Sequence, residues 1–340
     1  MKPYDYLNDL DDLDQFEAEL TGARKPKTPA RNPKKLPESD AKFLQTQDDS
    51  RTNFKFTYKA ARFEEGWLLN SLGGFYEHQW ISDVLRKIRG GKEASVYLCR
   101  AGENIHADLL AVKVYRPRML RNLKQDHIYR EGRIDLGSDG KQLVKDADVH
   151  AVAKRTAYGE EIRHQSWIAY EFNTLRTLFE ASVDVPQAYE MANNAILMDY
   201  IGDLSAAAPA LSEISLDRAE AKELFDRSLH NIDLMLSKNF IHGDLSAYNI
   251  LYWDGDITLI DFPQVVSPGN NRSAYQIFLR DVTRVCEYFI KFGVRANPRK
   301  IATDLWTSRG FHVFEEIHPR LLDAEDPQDR KLWERQNRGR

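Results

Sequence analysis

Three oxygen-bearing side chains stand close together in the second half of this 340-residue sequence. Asp244 and Asn249 lie five apart in HGDLSAYNIL, and Asp261 follows twelve residues later in LIDF. Between them, NILYW and ITLID read as short strands joined by Asp254-Gly255, a dipeptide suited to a tight hairpin. The three residues therefore flank one hairpin on its loops, an arrangement that supplies a base and oxygen ligands for a hard divalent ion. Singly, each would be an ordinary turn or strand-end residue; as a set the string is specific. His242 beside them reads as a packing and hydrogen-bonding residue.

Lys113 stands in AVKVY, a run apolar enough to be buried, and a buried ammonium needs an anion. Glu171 is the natural partner. It sits beside the stripe Ile168, Phe172, Leu175 and Phe179 of a predicted helix, where a carboxylate is costly unless a cation meets it. A lysine held by a glutamate is how a phosphotransferase aims charge at nucleotide phosphates. Gly90, Gly91 and Lys92 form a glycine turn between two predicted strands, where backbone N–H groups can come close to phosphate. Alone, RGGKEASVY reads as a hairpin; it gains weight from its place before Lys113.

The elements that must position these residues follow from periodicity. DVLRKIR (83–89), ASVYLCR (94–100) and LLAVKVY (109–115) read as antiparallel strands, and QAYEMA and AILMDY as a further hairpin around Asn193-Asn194. After Gly202 the chain turns helical, with Ala221, Phe225, Leu229, Ile232 and Leu236 on one stripe and Ser215 and Asp217 as cap candidates. Helices are predicted again from Ser273 and from Pro298. The outline is α+β and two-lobed: an antiparallel five-stranded N-lobe with one helix (61–202) and a mostly helical C-lobe (203–320). Residues 321–340 are a tail, and 115–165 a long insertion with eleven Lys/Arg and eight Asp/Glu.

Residues 1–60 differ in kind. The first twenty hold seven acidic side chains, and RKPKTPARNPKK (24–35) holds six basic ones and three prolines, which predicts a disordered charged arm whose basic half could touch RNA or an acidic partner. The net charge of −4 argues against a generic nucleic-acid binder. No run approaches the roughly 18–20 apolar residues of a membrane helix, so no membrane partner and a cytoplasmic location are expected. Cys99 and Cys286 are too few for a disulfide framework and read as small core hydrophobes.

GGKEASVY, AVKVY, the glutamate helix, HGDLSAYNIL and LIDFPQVVS together resemble the RIO family of atypical protein kinases, over about Ile81 to Gly293. The GKEASVY loop is similar to that of the Rio1-type branch and IDFPQ to that of the Rio2-type branch. The resemblance implies a kinase fold that uses ATP and Mg2+, with Lys113 and Glu171 at the phosphates, Asp244 as catalytic aspartate, and Asn249 and Asp261 as magnesium ligands. It further implies that backbone groups around Asp199 and Ile201 receive the adenine, that Met198 lines its pocket, and that Asp261 can itself accept the phosphoryl group. Asp281 falls where kinases place an aspartate that braces the catalytic loop. Gly243 replaces the arginine with which ordinary protein kinases grip a phosphorylated activation loop, and no APE-like segment follows Asp261. Activation-loop phosphorylation is therefore not expected, and the platform for a peptide substrate is reduced.

The implied output is phosphorylation of Ser/Thr, on a protein substrate or on the chain itself, or ATP hydrolysis serving as a conformational switch. The family's association with small-subunit maturation adds rRNA or a small ribosomal subunit precursor as a partner to test. Two other readings remain open on sequence: a small-molecule kinase of the aminoglycoside or choline type, which shares HGDLxxxNIL and LIDF, and a non-catalytic nucleotide-binding scaffold.

Overall fold

The computed structural model describes residues 54–91, 94–115, 136–137, 146–154, 156–192, 194–269, 271 and 273–313. Residues 1–53 of the charged arm, most of the 115–165 insertion and the 321–340 tail lie outside these, as does Lys92. Residues 54–60, assigned by charge pattern to the arm, belong to the N-lobe. Phe54 is buried, Tyr58 N–H donates to the Val84 carbonyl at 2.9 Å and Thr57 N–H to Asp83 Oδ1 at 2.7 Å.

Helix α1 (Arg62–Glu77) comes first, then strands β1 (Ile81–Gly90), β2 (Ala94–Ala101) and β3 (Leu109–Tyr115). Helices α2 (Asp146–Ala153) and α3 (Ala157–Glu180) precede β4 (Ala188–Ala192) and β5 (Ala195–Asp199). The five strands form one antiparallel sheet in the order β1-β2-β3-β5-β4, so the strand bearing Lys113 is central. Alternation along β3 divides its side chains between the two faces. Leu110, Val112 and Val114 pack with Leu68, Leu72 and Phe75 of α1, and Tyr115 joins the core that α3 shares with the C-lobe. Helix α1 was not foreseen in the sequence.

Helix α3 buries Ile168, Phe172, Leu175 and Leu178; Phe179, expected on that stripe, is exposed. Its neighbour Leu178 takes the inward position, and Phe179 falls in the last turn, on the side facing away from the core. The Thr156 side chain caps the start of α3 through Gly159 N–H, so the helix begins inside what the sequence presents as insertion.

The C-lobe contains α4 (Arg218–Ser237), the hairpin β6 (Ile250–Trp253) and β7 (Asp256–Leu259), α5 (Ala274–Ile290) and α6 (Pro298–Ser308). Asp217 caps α4 through the amides of Ala219 and Glu220. Asp254 and Gly255 both take positive φ, 51° and 85°, the geometry of a two-residue hairpin turn. Cys99 and Cys286 are buried and free, as their role as small hydrophobes requires.

Candidate active site

The β6–β7 hairpin brings the candidate oxygen ligands onto adjacent loops. Asn249 immediately precedes β6 and Asp261 follows β7, and the Asn249 carbonyl accepts the Ile260 N–H at 3.0 Å. Asn249 Nδ2 donates to the Asp244 carbonyl at 2.8 Å. That bond fixes the amide's orientation and leaves its oxygen as the end able to meet a cation. Asp261 holds φ at 72°, a conformation costly for a non-glycine residue and concentrated at functional sites.

The lobes meet at Lys113. Its ammonium lies 2.7 Å from Glu171 Oε1 and 2.6 Å from Asp261 Oδ1. Glu171 is 1% exposed and also accepts the Tyr115 hydroxyl at 2.7 Å, so the carboxylate stranded on α3 is satisfied on both oxygens. Burial alone would lower the Lys113 ammonium, but the Asp261 and Glu171 carboxylates hold it above its ordinary value. Burial works the other way on Asp261, yet the adjacent Lys113 charge and hydrogen bond keep its carboxyl below the usual range, with Arg89 of β1 contributing more distantly.

The Asp244 loop is held from below. Gly243 has φ 83°, and a Cβ there would meet the Gln264 carbonyl oxygen at 2.2 Å, so the position excludes any side chain. Asp281 of α5 accepts the N–H groups of Gly243 at 2.7 Å and Leu245 at 3.2 Å, the brace that the sequence suggests. Arg280 donates to the Gly243 carbonyl, and Arg284 Nη1 lies 3.0 Å from Asp244 Oδ1. The Arg284 contact was missed in the sequence, where a helical arginine forty residues from Asp244 looks like a solvent-facing charge. Buried His242 bonds the Ile260 carbonyl through Nε2 at 3.1 Å and accepts Asp244 N–H on Nδ1 at 3.3 Å. Those partners put its proton on Nε2, and burial lowers the imidazole, so His242 is a neutral spacer between the two loops.

Met198 is half-buried on β5 opposite Ala111. Asp199 turns its side chain away to accept the Tyr189 hydroxyl and Gln187 N–H, and the Ile201 carbonyl accepts Ala208 N–H at 3.0 Å. In the glycine turn, Gly90 ends β1 opposite Ser95, and Gly91 N–H closes the turn on the Ala94 carbonyl at 2.8 Å. That N–H is spent inside the hairpin.

No group of three His, Cys, Asp or Glu side chains able to hold a metal occurs among the described residues. The donor set of one carboxylate, Asp261, and one amide oxygen, Asn249, suits instead a magnesium ion that takes its other ligands from phosphate and water. The residues present fit the ion. No helix among the described residues is long and apolar enough to cross a membrane.

A sheet-borne lysine–glutamate pair meeting an aspartate after a small hairpin, beside an aspartate–asparagine loop braced by a helix, defines the two-lobed protein-kinase-like fold. The chain belongs to the RIO domain family, whose profile matches residues 95–301. It is 28% identical over 217 residues to the RIO-type serine/threonine-protein kinase Rio1 of Haloferax volcanii, covering 62% of this chain and 64% of that protein. Against Rio1 of Methanocaldococcus jannaschii it is 28% identical over 222 residues, 65% of this chain and 68% of the relative. Rio2 of the same organism is 31% identical over 181 residues, 49% of this chain and 66% of the relative. The chain thus matches about two thirds of the length of these relatives, and of both branches.

Proposed function

We propose that the protein is a magnesium-dependent ATP phosphotransferase of the RIO type, which phosphorylates Ser/Thr hydroxyls, its own included, or hydrolyses ATP through a phosphorylated Asp261. The observation that carries the reading is the Lys113 ammonium held between Glu171 of the N-lobe and Asp261 of the C-lobe.

In this reading the backbone around Asp199 and Ile201 receives the adenine, Met198 lines its pocket, and Gly90, Gly91 and Lys92 lie over the phosphates. Lys113 keeps Glu171 and turns its remaining donors to phosphate oxygens. Asn249 and Asp261 are the groups that would hold Mg2+, which when bound supplies positive charge to the phosphates. Asp244 orients the acceptor hydroxyl and takes its proton as the new oxygen–phosphorus bond forms, the bond from the γ-phosphorus to the ADP oxygen breaks, and ADP leaves. In the hydrolytic branch an Asp261 carboxylate oxygen attacks the γ-phosphorus, the bond from that phosphorus to the ADP oxygen breaks and ADP leaves, and water then cleaves the acyl phosphate to release phosphate and restore the carboxylate. A protein substrate and a small ribosomal subunit precursor or its rRNA are the partners this reading puts to test.

Incubation of the purified protein with γ-labelled ATP and magnesium tests it. Protein-bound or released label supports the reading. Alkali- and hydroxylamine-labile label assigns Asp261, and acid-stable, hydroxylamine-resistant label assigns Ser/Thr. No label in protein or free phosphate rejects it, and stimulation of ATP consumption only by a sugar, choline or aminoglycoside replaces it with small-molecule phosphorylation.

A further inference from the structure

Helix α5 grips the loop carrying Asp244 through three residues on one face. Arg280 and Asp281 hold its backbone, at the Gly243 carbonyl and at the Gly243 and Leu245 amides. Arg284, one turn further on, holds the side chain instead: its Nη1 lies 3.0 Å from Asp244 Oδ1. Its role is not explained by bracing the backbone.

The rest of the Asp244 environment makes this contact decisive for orientation. Asn249 Nδ2 is 3.4 Å from Asp244 Oδ2, long for a hydrogen bond, because it donates at 2.8 Å to the Asp244 carbonyl. The shortest side-chain contact of the carboxylate is therefore the one Arg284 makes at Oδ1, and Oδ2 has only the long contact to Asn249. The side chains are 32% exposed for Arg284 and 46% for Asp244, and a pair this open to water adds little to stability. Arg284 also faces the buried Asp281 and the half-buried Glu287 on its own helix, and Arg280 and Lys291 share in balancing those carboxylates. Burial outweighs these cations at both carboxyls, and the hydrogen bond of the Arg284 guanidinium goes to Asp244 Oδ1.

We infer that Arg284 is a positioning residue for phosphoryl transfer: it fixes the Asp244 carboxylate so that Oδ2 meets the acceptor hydroxyl. The inference rests on the phosphotransferase reading above. A carboxylate released from this anchor samples rotamers in which Oδ2 misses the hydroxyl, and misplacement by about 1 Å can cost on the order of 100-fold in rate.

The test compares full-length wild-type protein with Arg284→Met, Arg284→Lys and Arg284→Ala, measuring label transfer, affinity for a fluorescent ATP analogue and thermal unfolding. Arg284→Met is expected to lower kcat by about 10- to 100-fold while KM for ATP, analogue affinity and Tm stay near wild type. Arg284→Lys should retain part of the rate. Methylguanidine added to Arg284→Ala should restore transfer saturably, and methylammonium at equal concentration should not; a purely structural role predicts restoration by neither. An Arg284→Met rate within twofold of wild type, a higher rate, or a loss that tracks a fall in Tm overturns the inference while leaving phosphotransfer standing. Wild-type protein without any turnover overturns the phosphotransfer reading and this inference with it.

Discussion

Lys113 and Asp261, 148 residues apart, form an ion pair at 2.6 Å that joins the central strand of the N-lobe to the end of the C-lobe hairpin. The partners are not equivalent: Lys113 is 13% exposed and Asp261 44%. The inner contact, to the buried Glu171 carboxylate, is the one that stability depends on. Lys113→Met should therefore have two separable effects. It leaves the Glu171 carboxylate buried without its cation, at a cost of about 3–5 kcal/mol in urea unfolding, and it lowers ATP turnover by about 100-fold or more. Lys113→Met/Glu171→Gln should regain most of the stability, since Gln can still accept the Tyr115 hydroxyl, and none of the turnover. Recovery of both together would show that the lysine acts only through folding.

Asp244 and Asp261 should separate in the same assay. Asp244→Ala is expected to bind a fluorescent ATP analogue as wild type does and to lose about 10²- to 10⁴-fold in transfer, the range for removing an acid–base group. Asp261→Ala should lose the dependence of turnover on added magnesium along with the turnover itself. Undiminished turnover in either variant contradicts the role assigned to that residue.

The strands and the loops that carry Asp244, Asn249 and Asp261 were legible because their signals are local. Alternation and turn dipeptides located all five strands of the sheet, and Asp254-Gly255 marked a turn whose two positive φ angles few other pairs accept. Lys113 with Glu171 was legible because each charge lies in an apolar setting that only the other can relieve. Helix α1 was not, because Gly66, Gly73 and Gly74 weaken its propensity; packing of Leu68, Leu72 and Phe75 against the sheet stabilises it instead. Phe179 misled because the hydrophobic period does not say which of two adjacent apolar residues turns inward at a helix end, and Leu178 does. Arg284 gave no signal, since its meaning comes from where α5 passes the Asp244 loop.

Gly243 offers a backbone test. With φ at 83° and the Gln264 carbonyl oxygen 2.2 Å from where a Cβ would stand, Gly243→Ala combines left-handed strain with a clash against main chain that cannot swing aside. The substitution should cost on the order of 1–3 kcal/mol or more, seen as a lower Tm. It should also reduce transfer more than its effect on stability explains, because Gly243 is bonded to both Arg280 and Asp281. A variant with unchanged Tm would mean that the loop tolerates a different path past Gln264.

Asp281 makes stability depend on pH in the direction opposite to an ordinary paired carboxylate. Burial pushes its carboxyl from 3.8 up to about 7, against the opposing pull of Arg280 and the Gly243 amide. Between those values the folded protein keeps a proton that the unfolded chain has released, so this group's contribution falls as pH rises from about 4 to about 7 and is level above that. The change integrates to the order of a few kcal/mol. Asp281→Asn cannot ionise, and although it gives up one of the two acceptors for the loop amides, it should lack this slope. Urea midpoints at pH 5 and pH 8 for both proteins are the measurement. The wild type should lose more stability than the variant between the two, and parallel changes would show that Asp281 ionises in the folded protein as readily as in the unfolded chain, with Arg280 and the loop amides outweighing its burial.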